Sequence, residues 1–85
     1  MPATNRTATL IYNPHAGHDD WQRQIDEVAD CWRGAGWAVT LQVTQGPGHA
    51  TELAAQAAAT GQEVVLSAGG DGTLHEIVQG LVRSR

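Results

Sequence analysis

The strongest constraint on this chain is an alternation of β-forming runs with segments of helical period, punctuated by glycine and proline. Thr7–Asn13 (TATLIYN) is rich in β-formers and stops at Asn13-Pro14, a turn signal. After the polar HAGHDD, Trp21, Ile25, Val28 and Trp32 recur at spacings that place them on one helical face, and Gly34 and Gly36 close that helix. Asp19 and Gln22 stand at capping-box spacing at its start. Trp37–Thr44 (WAVTLQVT) reads as a second strand, followed by the breaker Gly46-Pro47-Gly48. An alanine-rich helix over about Ala50–Thr60 stops at Gly61, a left-handed C-cap. Glu63–Ala68 (EVVLSA) carries the unbroken Val64-Val65-Leu66 expected of a strand covered on both faces. Leu74, Ile77, Val78, Leu81 and Val82 then mark a third amphipathic helix, with Thr73 and Glu76 forming a T-x-x-E capping box.

The resulting order, β-α-β-α-β-α with short connections, implies an α/β fold: a three-strand parallel sheet with right-handed crossovers, part of the doubly wound class. With 85 residues and no linker or internal repeat, the chain is one small domain. Three parallel strands make a thin sheet with an open edge, and the pattern reads as the beginning of a larger fold.

Charge narrows the function. Nine acidic residues against five basic ones give a formal net charge of −4. No basic face is therefore available to neutralise a nucleic-acid backbone. All the basic residues are arginines, and lysine, a frequent point charge at phosphate sites, is absent. The single Cys31 forms no intramolecular disulfide, fits a reducing, cytoplasmic setting, and is expected to be a buried thiol in the first helix. The N-terminal MPATNRTATLIYNP has no long apolar region, so no secretory signal is expected. No apolar run approaches the roughly 20 residues that span a bilayer, which leaves peripheral membrane contact at most.

In a parallel α/β sheet, ligands bind where loops leave the C-terminal ends of the strands. Those loops are Asn13–Asp20, Thr44–Gly48 and Ala68–Thr73, and the last is the most distinctive. Gly69, Gly70 and Gly72 let a phosphate approach the backbone, and the following helix N-terminus offers oriented N–H groups. The competing explanation is a tight turn that needs glycine. The motif is neither a Walker A loop, which requires lysine, nor a dinucleotide G-x-G-x-x-G, because His75 occupies the third glycine position. Asp71 is the catalytic candidate: it can help hold Mg²⁺, accept a hydrogen bond from a substrate hydroxyl, or simply lock the turn. Glu76 is either a functional group or the capping residue of its own helix.

Three blocks in order, Asn13-Pro14-His15-Ala16-Gly17, then Thr44 ahead of Gly48-His49-Ala50, then GGDGT-LHEIVQGL, resemble the start of the diacylglycerol kinase catalytic domain. That family includes bacterial lipid kinases and sphingosine and ceramide kinases, and GGDG loops also occur in NAD kinases and phosphofructokinases. The resemblance implies ATP-dependent phosphorylation of a lipid hydroxyl, with Mg²⁺. It assigns nucleotide binding to Asn13, Pro14, His15, Ala16 and Gly17, to Thr44, and to Gly69, Gly70, Asp71, Gly72, Thr73, Leu74, His75 and Glu76. His75 departs from the pattern, standing where asparagine is common. The resemblance also implies a second, β-rich domain supplying the general base, structural Mg²⁺ ligands and most of the lipid cleft. Residues 1–85 match only the N-terminal part, so the chain alone is expected to be inactive.

Other readings make sharper or blander use of the same residues. An NAD-kinase-like enzyme would share the glycine loop, and a non-catalytic nucleotide-binding or assembly module would use the open sheet edge, as a homo-oligomer or beside a missing half. His15, His18, His49 and the Asp19-Asp20 pair form too loose a set for a metal centre. Trp21 and Trp32 are expected in the core rather than on a lipid-facing surface.

Overall fold

The computed structural model describes residues 6–15 and 20–83. Six elements follow in order: β1 (Thr7–Tyr12), α1 (Trp21–Gly34), β2 (Ala38–Val43), α2 (His49–Ala59), β3 (Val64–Ala68) and α3 (Asp71–Arg83). The strands form one all-parallel sheet in the order β2-β1-β3, with Ala8 opposite Val39 on one side and Val64 on the other. The expected α/β class and element order are present.

Alternating side chains of β1 divide the core into two layers, as period-2 geometry requires. Ala8, Leu10 and Tyr12 pack with Ile25 and Ala29 of α1, together with Val39. Ile11 on the opposite face packs with Ala50, Leu53 and Ala54 of α2 and with Ile77 of α3. Helices thus cover both faces, and the strand enclosed on both sides is β1. β3 has apolar contacts on both faces, as its unbroken run implies, with Val64 and Leu66 against one layer and Val65 against the other; it lies at the sheet edge, so these side chains are half-buried. A continuous apolar run cannot distinguish a central strand from an edge strand with apolar contacts on both faces.

Helix ends explain how so short a chain reverses direction repeatedly. At the end of α1, Gly36 adopts φ 98°, the Gly36 N–H donates to the Arg33 carbonyl and the Trp37 N–H to the Trp32 carbonyl. The same pair of bonds recurs at Gly61, φ 79°, where Gly61 and Gln62 donate to Ala58 and Ala57. Both are Schellman motifs, in which glycine takes the left-handed position without a Cβ penalty. The first adds the hydrophobic contact typical of the motif: Trp32 and Trp37 meet edge to face at 5.0 Å.

Three helical details differ from expectation. Ile25 and Ala29 form the buried line of α1, flanked by half-buried Trp21 and Trp32, whereas Val28 is 44% exposed. Cys31 is exposed rather than buried, because it lies off that line. Gln22 is not a capping residue: its side chain accepts from the Tyr12 hydroxyl at 3.1 Å and donates to Asp26, while Asp19 lies outside the described residues.

The third helix departs furthest. It begins at Asp71, ahead of Thr73, so Thr73 and Glu76 are first- and second-turn residues and form no capping box. Its buried stripe is Ile77, Gly80 and half-buried Leu81, set against α2. Gly80 marks the closest approach, since a Cβ there would run into the Thr51 carbonyl oxygen and come within 2.9 Å of the Ala54 Cβ. The small residues of α2 therefore admit a second helix as well as the sheet. Leu74, Val78 and Val82, expected on the packed face, form a separate i, i+4, i+8 line that is 50%, 48% and 56% exposed.

Candidate functional site at the C-terminal ends of the strands

The three strand ends are stitched together where the loops leave them. The Thr44 N–H donates to the Tyr12 carbonyl at 2.9 Å, and the Asn13 N–H to the Ala68 carbonyl at 3.2 Å. Asn13 also closes an Asx turn, its Oδ1 accepting from the His15 N–H at 2.9 Å, while its carbonyl accepts from the Trp21 indole at 2.8 Å. One residue thus ties the first loop to β3 and to α1. The turn-forming role of Asn13 is realised without removing it from the site.

These loops enclose an open cavity of about 330 Å³. Asn13 and His15 line it from the first loop; Thr44, Gln45, Gly46 and Pro47 from the second, with Ala50 beneath; and Gly72, Thr73 and Glu76 from α3. Thr44 is buried, with its hydroxyl-bearing side chain at the wall. In the second loop the Gln45 N–H donates to His49 Nδ1 at 3.0 Å and the His49 N–H to the Gly46 carbonyl. Gln45, Gly46 and Pro47 belong to the Thr44–Gly48 loop expected at a strand's C-terminal end, but none of them was singled out as a site residue. Position raises the whole loop, while the residue types Gln, Gly and Pro carry no chemistry that would single out one of them.

The glycines next to α3 can be weighed directly against the tight-turn explanation. Among the described residues, left-handed φ values occur only at Gly36, Gly48 and Gly61, so Gly69, Gly70 and Gly72 do not need glycine for their backbone angles. Nor do Gly70 and Gly72 need it for room, because a Cβ on either would have nothing within 4 Å. What their missing side chains do is leave the backbone uncovered beside the cavity. Gly69 differs, since a Cβ there would lie 2.9 Å from the Thr73 hydroxyl. The Leu74 N–H closes the first turn on the Gly70 carbonyl at 3.2 Å, and by helix geometry the N–H groups before it find no acceptor within the helix. The start of α3 is therefore an uncovered, partially positive surface suited to an anion.

Side-chain charge adds little to this. Among the described residues no arginine lines the cavity, and Arg23 and Arg33 are engaged along α1, with Asp20 and Glu27 and with Asp30 and the Val39 carbonyl respectively. Arg6 lies over the Trp37 ring at the opposite end of the sheet. Among the described residues no group of three or more histidine, cysteine, aspartate or glutamate side chains could hold a metal ion.

Several expected site residues come together and others do not. Asn13, His15, Thr44, Gly72, Thr73 and Glu76 share the cavity, whereas Pro14, Gly69 and Gly70 do not line it. Leu74 lies on the exposed line of α3, and His75 is exposed and bonded to Gln79 at 3.1 Å; neither lines the cavity. Ala16 and Gly17 lie outside the described residues, as do His18 and the Asp71 side chain; Asp71 is placed only as the first residue of α3. Glu76 does something the sequence reading did not anticipate. Its Oε2 accepts the Gly48 N–H at 3.2 Å, and its carbonyl accepts the Thr51 hydroxyl at 2.9 Å.

A parallel sheet covered by helices on both faces, with a glycine-flanked helix N-terminus beside the C-terminal ends of its strands, defines an α/β fold. The diacylglycerol kinase catalytic domain matches residues 7–85. The chain belongs to this kinase family. Among similar proteins, the diacylglycerol kinase of Bacillus subtilis (strain 168) is 34% identical over 76 residues, covering 89% of this chain and 25% of that protein. The diacylglycerol kinase of Staphylococcus carnosus (strain TM300) is 37% identical with the same coverage, and that of Staphylococcus aureus (strain MRSA252) is 34% identical over 89% of this chain and 24% of its own length. The chain thus spans about a quarter of the length of these relatives.

Proposed function

We propose that this chain forms the nucleotide-phosphate half of an ATP-dependent lipid kinase, which transfers the γ-phosphate to the hydroxyl of diacylglycerol or a related lipid. The observation that carries the reading is the uncovered backbone at Gly70 and Gly72, glycine where neither backbone angle nor space requires it. Family membership and the relatives' names support the kinase and its lipid acceptor.

The groups present suit phosphate. Backbone N–H groups at the start of α3 would receive phosphate oxygens, with the hydroxyls of Thr44 and Thr73 and the Asn13 turn along the walls. A divalent cation carried on the nucleotide would supply the charge neutralisation that no lysine or arginine among the described residues provides at the cavity. Asp71, at the head of α3, is the candidate catalytic residue, while the general base and lipid cleft belong to the part of the family fold that residues 1–85 do not match. Phosphoryl transfer depends on holding donor and acceptor in line, so the chain by itself is expected to bind nucleotide without phosphorylating lipid. Cytoplasmic placement with peripheral membrane contact fits this reading; no described helix is long and apolar enough to cross a membrane.

A second reading, a nucleotide-binding or assembly module, draws on the exposed Leu74, Val78 and Val82 line. Titrating the 85-residue chain with MgATP while following backbone amide signals tests the main proposal. Shifts concentrated at Gly70, Gly72 and Thr73 are expected, and a chain that binds no nucleotide would overturn it. Lipid phosphorylation by the 85-residue chain alone would overturn the expected inactivity.

A further inference from the structure

We infer that Glu76 is a positioning residue that fixes the second phosphate-side loop to α3 by capping α2 from outside its own helix; this rests on the nucleotide reading above. The N-cap of α2 is Gly48, held at φ 84° and with no side chain to accept a hydrogen bond. In a capping box, the third helical residue is a glutamate or glutamine whose side chain accepts the N-cap N–H. In α2 that position is Thr51, whose hydroxyl is committed to the Glu76 carbonyl at 2.9 Å. The missing half of the box comes from α3 instead, with Glu76 Oε2 taking the Gly48 N–H at 3.2 Å.

The placement gives this bond a consequence for the site. Glu76 lies one helical turn after Gly72, on the same face of α3. Gly72 and Glu76 line one wall of the cavity, and Thr44–Pro47 line the facing wall. The Glu76–Gly48 bond therefore sets the separation of the two walls between which a nucleotide phosphate would sit. It also gives the Gly48 N–H an acceptor oxygen within the protein. Glu76 thereby acts through the loop rather than on the ligand.

Binding of MgATP to the 85-residue chain, measured by calorimetry, tests this with two substitutions. Glu76→Ala is expected to weaken binding by about tenfold, the factor that corresponds to ~1.4 kcal/mol. Glu76→Gln keeps an acceptor oxygen of the same reach and is expected to stay within about twofold of wild type. If Glu76→Ala does not fold by circular dichroism, Glu76→Asp, which is too short to reach Gly48, replaces it with the same expectation. Equal affinity of the shortened variant and wild type would overturn the inference. So would a Glu76→Gln variant that folds but binds as weakly as Glu76→Ala, because the charge would then matter rather than the tie. Failure of wild type to bind MgATP would overturn the nucleotide reading instead. Gly48 amide exchange needs no nucleotide and decides the tie independently: faster exchange in Glu76→Ala supports it, and unchanged exchange overturns it.

Discussion

The starts of α2 and α3 make an instructive pair. Both helices follow a glycine-bearing connection, both point their N-termini toward the same end of the sheet, and both border one cavity. Yet the first is closed by a carboxylate from its neighbour, whereas the second is flanked by glycines with nothing near the missing side chains. Glycine serves opposite purposes in the two places. At Gly48 it permits a left-handed backbone; at Gly70 and Gly72 it clears the approach to an ordinary one. A helix N-terminus becomes an anion site only if the protein has not already filled it.

Four substitutions would break or sharpen that contrast. The largest effect is expected at the seam joining the two helices. Gly80→Val would force a side chain into the Thr51 carbonyl, and denaturant unfolding should show a loss of about 3 kcal/mol. Next is Gly48→Ala, where a Cβ at positive φ should cost about 1–2 kcal/mol although the space is open. A loss no greater than that of an ordinary surface alanine would mean that the left-handed turn is not maintained in solution. Gly72→Ala should behave in the opposite way. Stability should hold or rise by up to about 1 kcal/mol, since alanine favours helix, while MgATP affinity should fall by about tenfold. Unchanged affinity would remove the distinction between the two helix starts. The smallest effect is expected from Thr51→Val, which removes the hydroxyl donated to the Glu76 carbonyl and should cost about 1 kcal/mol in thermal or denaturant unfolding.

What could be read from the sequence follows from the range of the interactions involved. Strand and helix alternation, the glycine C-caps at Gly36 and Gly61, and the motif around Gly69–Thr73 are written in neighbouring residues, and the structure contains those elements and caps. Asn13 and Thr44 follow from their places just beyond two parallel strands. Glu76 was misread because T-x-x-E is a sound local signal, yet its side chain answers to Gly48, 28 positions away. The apolar run of β3 hid its edge position for the same reason, since strand order is decided by pairing across the whole chain. Cys31 and the Leu74, Val78 and Val82 line show the limit of helical periodicity. It identifies which residues share a face, but which face is covered depends on the elements packed against it.

The central place of β1 also has a temporal meaning. Both its neighbours follow it in sequence, and Ala8 meets Val64 only across two helices and another strand. Such distant pairings must meet their loop-closure cost before they are rewarded, which slows folding relative to a helical bundle of similar size. Full enclosure of β1 thus waits on β3, more than fifty residues later. A substitution in β1 such as Leu10→Ala should show its effect late in refolding, after the helices have begun to form.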